Sequence, residues 1–387
     1  MMAVDKFAFM HQALEKRSPT QRRSLQPLIP QDAVHILQEG RSLLNFSNND
    51  YLGLSKHPIL IQTAQEYISQ YGTGATASRL VTGTYDIHEQ VEQQLAMACG
   101  REASLLLNSG FQANSTILPL LVDRQSLVLC DRLVHNSILQ GVLSSKARLV
   151  RYHHNDLHHL EKLLQQAHQK TYSRILIASE TIFSMDGDIS DIEELIRLAK
   201  EYNAILYIDD AHAVGVMGIN GMGLASHRSD IDVVIGTFGK AFGSAGAYVT
   251  CSHVIRDYLI NFCPGFIYTT GLPPGTVGAI AAALTLIPTL NLERQHLAQI
   301  AVSLRSQLQQ IGYDTGNSCS HIIPLILGDE AKTLRLAQWL KEHGMLAIAI
   351  RPPTVAPGTA RIRLALSSAH TTIQINDLIN CLKLFEG

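Results

Sequence analysis

Six short apolar runs, separated by longer segments of mixed polarity, dominate the middle of this chain of 387 residues. Each run is five or six residues long, a length that suits a strand buried on both faces. Residues 191–202, between two of the runs, carry apolar side chains on one helical stripe. Strands that alternate with helices predict an α/β fold, with a mostly parallel sheet covered by helices on both faces. The runs span residues 103–108, 126–131, 148–152, 174–179, 205–209 and 232–236.

The chain is long enough for two or more folding units. After Gly275 the pattern changes to one long helix over about 276–311, followed by short strands at 321–327, 346–350 and 361–366 and a helix near 331–343. The first forty-odd residues predict an arm with one amphipathic helix. We therefore expect three parts: an N-terminal arm (1–45), a large domain (46–275) and a smaller α+β domain (276–387).

Composition excludes several classes of protein. The formal net charge is −2, which gives no polybasic surface for nucleic acid or anionic lipid. Hydrophobic residues make up 46% and charged residues 17%, as in a well-buried globular protein. The longest apolar stretch, 277–290, is broken by Pro288 and is too short to span a bilayer, and the N-terminus lacks a signal-peptide core. The six cysteines form no C-x-x-C pair, so we expect a reduced, cytoplasmic protein without a bound metal.

Polar side chains follow five of the apolar runs at the point where each predicted strand ends. Asp and Ser often cap helices and Gly often turns corners, so one such strand end carries little weight. Five strand ends in one sheet do carry weight, because ligands of open parallel sheets bind beyond the carboxyl ends of the strands. These residues include Ser109 to Phe111, His135, Glu180 with Ser184 to Asp188, Asp209 to His212, and Thr237 to Lys240.

Lys240 lies in the glycine-rich segment 236–246, directly after a buried run. Three interpretations are open: an exposed surface lysine, a phosphate-binding P-loop, and an amine nucleophile that forms a Schiff base. The P-loop pattern G-x-x-x-x-G-K-[ST] fits poorly, because Gly236 is two residues too close and Ala241 replaces the hydroxyl residue. If Lys240 is desolvated, its lowered pKa makes it reactive toward an aldehyde, and Thr237 could then bind a phosphate.

Asp209 and His212 end the neighbouring predicted strand, upstream of Lys240. An aspartate there could pair with a protonated ring nitrogen, and a histidine three residues on could reach the same ring. Asp, His and Lys around a planar aromatic phosphate is the arrangement that pyridoxal 5'-phosphate requires. Gly110 and Phe111, at a predicted helix start, would offer backbone N–H groups to the phosphate.

Five stretches together resemble the α-oxoamine synthase family of fold-type I pyridoxal-phosphate enzymes. They are NFSNNDYLGLSKHP (45–58), ASRLVTGTYDIHEQVE (77–92), ETIFSMDGD (180–188), YIDDAHAVGVMGINGMG (207–223) and TFGKAFGSAGAYV (237–249). The resemblance covers nearly the whole chain after residue 45. It implies a homodimeric transferase that condenses an amino acid with an acyl thioester and releases carbon dioxide.

The resemblance also implies site residues around the cofactor. Lys240 is similar to the family's Schiff-base lysine, which also carries a proton. Asp209 is similar to the partner of the ring nitrogen, and His135 to the histidine that stacks on the ring. His212 and Ser184 are similar to the residues near the ring hydroxyl. Further cofactor contacts are implied for Gly110, Phe111 and Thr237, and for Thr269 and Thr270 reaching from the second subunit.

Substrate contacts are implied for His135, Arg363, Thr354 and Arg22. Arg363 is similar to the arginine that binds the amino-acid carboxylate. We expect Arg361 and Arg363 to point to opposite faces of a predicted strand, so that only Arg363 faces the site. The stretch 349–370, above all Arg351 to Val355, is most similar to the branch of the family that uses L-alanine and a pimeloyl thioester of coenzyme A or an acyl-carrier protein. A sibling enzyme with another acyl donor and a non-catalytic relative are the alternatives.

The segment His153 to His159 holds four histidines and an aspartate. Paired histidines suit Zn²⁺ or Ni²⁺, but Asn155 or Asp156 also suits a helix cap. The capping interpretation is favoured, since no cysteine or further carboxylate ligand set accompanies the histidines.

Overall fold

The computed structural model describes residues 5–18 and 22–386. Its helices are α1 (Ala8–Glu15), α2 (Pro58–Tyr71), α3 (Asp86–Ala98), α4 (Gly110–Leu121), α5 (Asn136–Ser145), α6 (Leu157–His168), α7 (Ile192–Glu201), α8 (His253–Phe262), α9 (Pro264–Ile267), α10 (Pro274–Leu286), α11 (Asn291–Gln310), α12 (Glu330–Glu342) and α13 (Thr372–Lys383). Its strands are β1 (Ile29–Pro30), β2 (His35–Gln38), β3 (Arg41–Asn45), β4 (Ala103–Leu107), β5 (Leu127–Asp131), β6 (Arg148–Tyr152), β7 (Ile175–Glu180), β8 (Ile205–Asp209), β9 (Val233–Thr237), β10 (Ala247–Cys251), β11 (Ile322–Gly328), β12 (Met345–Leu346), β13 (Ile348–Ile350) and β14 (Ala360–Ala365).

All six apolar runs form strands of one seven-stranded sheet with the order β4-β10-β9-β8-β7-β5-β6. The strands from β9 to β6 are parallel to one another, which confirms the predicted mostly parallel sheet. Their carboxyl ends therefore meet at one edge, where the polar residues after β5, β7, β8 and β9 come together.

The strand β10 is absent from the sequence prediction and runs antiparallel to both β9 and β4. Residues 238–246 join β9 directly to β10. A parallel neighbour would need a crossover of a dozen or more residues, so this short connection allows only an antiparallel return. Lys240 lies within that connection.

Helices cover both faces of the sheet. Helices α4, α5 and α8 bury their apolar sides on one face, and α6 and α7 do so on the other. The predicted stripe of α7 is confirmed, with Ile192, Leu195 and Leu198 buried. The side chain of Asp191 caps the helix by accepting a hydrogen bond from the Glu194 N–H.

The C-terminal part forms a three-stranded antiparallel sheet, β11-β14-β13. Strands β1, β2 and β3 form a second small sheet that is completed by β12 from the C-terminal part, with β12 parallel to β3. The arm thus contains the predicted helix α1, which buries none of its residues, and also strands that pack on the C-terminal part. The division at 1–45, 46–275 and 276–387 stays a proposal.

The helix predicted over 276–311 is two helices, because Pro288 interrupts it. Proline lacks the N–H that the helical ladder needs. A 3₁₀ turn, Ile287–Thr289, follows α10, and α11 leaves at an angle of 75°. Within the described residues, no single helix combines the length and apolarity of a membrane span, and α10 and α11 meet those criteria only when they are taken together.

Candidate active site

A cavity of about 510 Å³ lies beyond the carboxyl ends of β7, β8 and β9 and beside the first turn of α4. Strand geometry explains its position, since parallel strands end at the same edge of the sheet. Nine of the thirteen expected cofactor and substrate residues line it: Gly110, Phe111, His135, Ser184, Asp209, His212, Thr237, Lys240 and Arg363.

Lys240 is held in the connection between β9 and β10. Its carbonyl accepts a hydrogen bond from the Gly243 N–H at 2.9 Å, and the connection is closed by Phe238 N–H to Gly246 O at 3.0 Å. Burial lowers the pKa of Lys240 to about 8, although the negative charges of Asp209 and Glu180 act in the opposite direction. About a tenth of this amine is therefore neutral at pH 7, far more than for a lysine with its ordinary pKa, and its burial excludes an ordinary surface lysine.

Asp209 ends β8 with both carboxylate oxygens occupied by donors. Its Oδ1 accepts a hydrogen bond from the Ala211 N–H at 3.0 Å, and its Oδ2 accepts one from Asn114 Nδ2 at 2.7 Å. Asn114 itself accepts a hydrogen bond from the hydroxyl of Tyr207 at 2.8 Å. Asn114 is not among the site residues expected from the sequence, although a polar side chain on the apolar stripe of α4 is a visible signal.

His135 caps the start of α5, and its Nδ1 lies 2.6 Å from the hydroxyl oxygen of Ser137. Its backbone N–H donates to Glu180 Oε1 at 2.5 Å. Burial lowers the pKa of His135, which favours the neutral imidazole. Burial, followed by the negative charge of Asp209, raises the pKa of Glu180 well above its usual range. Glu180 also lines the cavity; its position at the end of a predicted strand was expected from the sequence, but no role was expected for it.

His212 is a neutral imidazole at the same edge. Burial lowers its pKa well below the usual range, and the positive charges of Lys240 and Arg363 lower it further. Its Nδ1 lies 2.7 Å from the hydroxyl oxygen of Tyr51, which is fully buried. His212 can therefore donate or accept a hydrogen bond at its other nitrogen without adding charge.

Arg363 and Arg361 both donate hydrogen bonds to the turn that contains Ser184 and Asp186. Arg363 Nε donates to Ser184 O at 2.5 Å, and Arg361 Nη1 donates to Asp186 Oδ1 at 2.6 Å. The expectation that the two arginines point to opposite faces is wrong, because residues two apart in a strand share one face. The cavity nevertheless includes only Arg363 of the pair, since Arg361 is held by its carboxylate partner.

The end of the cavity at α4 fits an anionic group. Ser109 caps α4 by accepting a hydrogen bond from the Gln112 N–H at 3.1 Å, so the helix begins at the cavity wall. The Thr237 hydroxyl is buried there and has no hydrogen-bond partner among the described residues. A Cβ at Gly110 would lie 2.7 Å from Thr237 Cγ2, so only glycine lets the helix start approach this hydroxyl.

Four of the expected site residues lie outside this cavity within the single chain. The hydroxyl of Thr269 accepts a hydrogen bond from Gln112 at 2.8 Å, and the carbonyl of Thr270 accepts one from Asn108 at 3.0 Å. Arg22 is exposed and donates to the carbonyl of Leu14, whereas its neighbour Arg23 donates to the hydroxyl of Thr354 at 2.8 Å.

The histidine-rich segment contains the predicted cap. The Asp156 side chain accepts a hydrogen bond from the His159 N–H at 2.8 Å and begins α6. Ligating atoms of His153, Asp156 and His159 also lie within 4.8 Å of one another. His159 Nδ1 already accepts a hydrogen bond from the His153 N–H, so the capping interpretation accounts for the arrangement.

Residues 41–382 match the family model for class I and II aminotransferases. The chain belongs to this family. A curated relative, 8-amino-7-oxononanoate synthase from Gluconacetobacter diazotrophicus, is 46% identical over 369 residues, which are 94% of this chain and 92% of that protein. A serine palmitoyltransferase variant from S. paucimobilis, solved with PLP and myriocin bound, has a TM-score of 0.91 at 25% identity over 98% of both chains. The 8-amino-7-oxononanoate synthase of Francisella tularensis has a TM-score of 0.75 at 27% identity over 88% of this chain and 97% of that chain.

These comparisons confirm the expected fold-type I architecture and the resemblance to α-oxoamine synthases. The chain is a pyridoxal-phosphate-dependent acyltransferase. The cavity fits that cofactor, because a lysine of lowered pKa lies at one side and an unpartnered buried hydroxyl beside a helix start lies at the other.

Proposed function

We propose that the enzyme condenses L-alanine with a pimeloyl thioester, the reaction of an 8-amino-7-oxononanoate synthase in biotin biosynthesis. A new carbon–carbon bond forms while the thioester C–S bond and the bond from Cα to the carboxylate of alanine break, so that a thiol and carbon dioxide leave. The supporting observation is that one cavity joins Lys240, Asp209 and Arg363 in a chain 46% identical to a relative of that name.

Lys240 has two proposed tasks. When bound, pyridoxal phosphate supplies an aldehyde that reacts with amines and a protonated ring that accepts electrons from a breaking bond. The Lys240 amine would hold the cofactor and later accept and return a proton at Nζ. Its pKa of about 8 suits both tasks, because an acid–base group works best near the operating pH.

Asp209, His135 and His212 would orient and polarise the ring. The Asp209 carboxylate is fixed by two N–H donors and would keep the ring nitrogen protonated. The imidazole of His135 would stack on the ring, and His212 with Ser184 would bind near its hydroxyl. Gly110, Phe111 and Thr237 would bind the phosphate at the start of α4.

Arg363 would bind the alanine carboxylate with its guanidinium fork. Its Nε is already fixed by Ser184 O at 2.5 Å, and Asn49 Oδ1 accepts from its Nη1 at 3.2 Å. Thr354, with the arm residues Arg22 and Arg23, would meet the acyl substrate. The contact between Arg23 and Thr354 favours Arg23 as the nearer of the two arginines.

The active form would be a cytoplasmic homodimer with shared sites. Thr269 and Thr270 lie outside the cavity of their own chain, beside Tyr268, whose side chain is 83% exposed. In the dimer these threonines would reach the cofactor phosphate of the partner. The six free thiols are consistent with the cytoplasm.

A substrate panel tests the proposal. Purified holoenzyme is incubated with alanine, glycine or serine and with pimeloyl, acetyl or palmitoyl thioesters of coenzyme A or of acyl-carrier protein, and the products are identified by mass. We expect the highest kcat/KM for alanine with a pimeloyl thioester. Comparing the coenzyme A thioester with the acyl-carrier-protein thioester identifies the thiol that leaves. A preference for glycine with acetyl-coenzyme A, or for serine with the palmitoyl thioester, would replace this proposal with a sibling activity. Lys240→Ala is the inactive control.

A further inference from the structure

His154, in the histidine-rich segment after β6, has no part in the chemistry proposed above, yet it contacts two buried carboxylates. Its Nδ1 lies 3.0 Å from Asp131 Oδ1, and its Nε2 lies 2.7 Å from Asp188 Oδ2. Asp131 is fully buried and Asp188 is 6% exposed. Buried carboxylates are costly unless a charge or hydrogen-bond donors compensate them, so a histidine that donates from both nitrogens stabilises the pair.

The surroundings of His154 keep it protonated. Burial alone would lower the pKa of His154, but the hydrogen bonds and charges of Asp131 and Asp188 outweigh that effect and raise it to about 10. Among the described residues, the other groups that contact this cluster carry no charge. The ring of Phe183 packs edge-on at 4.4 Å, and Asn155 donates from Nδ2 to Asp188 Oδ2 at 2.7 Å and from its backbone N–H to Asp131 Oδ2 at 2.8 Å.

Asp188 closes a hydrogen-bonded turn, residues 183–188, that reaches the active site. The Phe183 N–H donates to Asp188 O at 3.1 Å, and the Gly187 N–H donates to Phe183 O at 2.8 Å. Gly187 has φ +71°, and a Cβ there would lie 1.9 Å from Ile322 O, so the turn also packs closely on β11. A turn tied at both ends moves as a unit, and fixing Asp188 therefore also fixes Ser184.

Ser184 transmits this restraint to the substrate arginine. Its carbonyl accepts the hydrogen bond from Arg363 Nε, so the position of the turn sets the direction of the guanidinium fork. We propose that His154 is a positioning residue for the amino-acid substrate, which acts by holding the 183–188 turn that orients Arg363. This rests on the proposed function, in which Arg363 binds the carboxylate.

The variant His154→Gln tests the proposal in the holoenzyme. We expect the dissociation constant and the KM for alanine to rise about tenfold, because the variant loses the equivalent of roughly one charge-assisted hydrogen bond. The KM for the thioester should change less than about twofold. His153→Gln, at the exposed neighbouring histidine, is the matched control and should leave all three constants unchanged. Hydrogen exchange of the cofactor-free protein is the second measurement, and amides 184–188 should exchange faster in His154→Gln only.

A purely structural contribution of His154 would give a different result. If the melting temperature falls while alanine binding is unchanged, or if the alanine and thioester constants rise equally, the proposal is overturned. Should His154→Gln not fold, Asp188→Asn weakens the charge-assisted hydrogen bond that holds the turn, and a smaller rise that is likewise selective for alanine is required. If Arg363→Ala leaves alanine binding unchanged, the proposed carboxylate contact itself fails, and this proposal fails with it even where the turn exchanges faster.

Discussion

Replacing Arg363 with alanine should weaken alanine binding selectively. Arg363 lines the cavity, its Nε is held by Ser184 O at 2.5 Å, and its Nη1 donates to Asn49 Oδ1 at 3.2 Å. A hydrogen bond to a charged group contributes about 1.5–3 kcal/mol, and about 1.4 kcal/mol corresponds to a factor of ten. The dissociation constant of alanine should therefore rise roughly ten- to a hundredfold, while the thioester KM stays nearly constant.

Titration of alanine against the absorbance of the bound cofactor measures this constant directly. Arg305→Ala is the matched control, because Arg305 Nη1 donates to Ser320 O at 3.1 Å outside the cavity. Arg361→Ala breaks an ion pair in which the arginine side chain is 7% exposed, and it should lower the melting temperature more than alanine affinity. A larger alanine shift in Arg361→Ala than in Arg363→Ala would refute the assignment of the carboxylate to Arg363.

Four further predictions follow from the same geometry. The rate at which cofactor-free enzyme takes up pyridoxal phosphate should rise with pH through about 8, because the neutral Lys240 amine is the proposed nucleophile, and a flat profile would contradict its lowered pKa. Asp209→Asn should retain cofactor by absorbance and lose about 10²–10³ in kcat, and near-normal turnover would rule out its contact with the ring nitrogen. Mixing inactive Lys240→Ala with an inactive Thr270→Ala variant should restore activity in the heterodimer, and no recovery after confirmed exchange would argue against shared sites. The free energy of unfolding of wild type should exceed that of His154→Gln by its full amount below pH 6.5, the ordinary pKa of histidine, and this difference should disappear as pH rises through about 10, as denaturant unfolding at each pH would show.

The strands and the position of the site could be predicted from the sequence because both depend on local patterns. Runs of buried length identified six of the seven strands of the main sheet, and the polar residues after them identified one edge. The seventh strand, β10, was not predicted, because it follows a glycine-rich turn that is also typical of a ligand loop. Pro288 was visible in the sequence, but the predicted helix over 276–311 ran across it, because the segments on both sides of the proline favour helix.

Contacts between distant segments could not be predicted. Asn114 meets Asp209 across 95 positions of sequence, and Arg363 meets Ser184 across 179. The periodicity of one segment does not indicate which side chains of a distant segment will contact it. The error on Arg361 was different in kind, because strand geometry alone already places residues two apart on the same face.

The connection between β9 and β10 also decides how the Lys240 amine can move. Both its ends belong to neighbouring strands, and backbone hydrogen bonds from Phe238, Gly243 and Ser244 close it internally. The main chain at Lys240 is thus fixed, and the reach of Nζ is the length of its own four-carbon stem. Delivery of a proton then requires rotation about side-chain bonds, which takes nanoseconds or less in mobile side chains, whereas loop opening takes much longer. Inserting one residue into this connection should abolish turnover, because the amine would be carried away from the cavity even though the lysine itself remained.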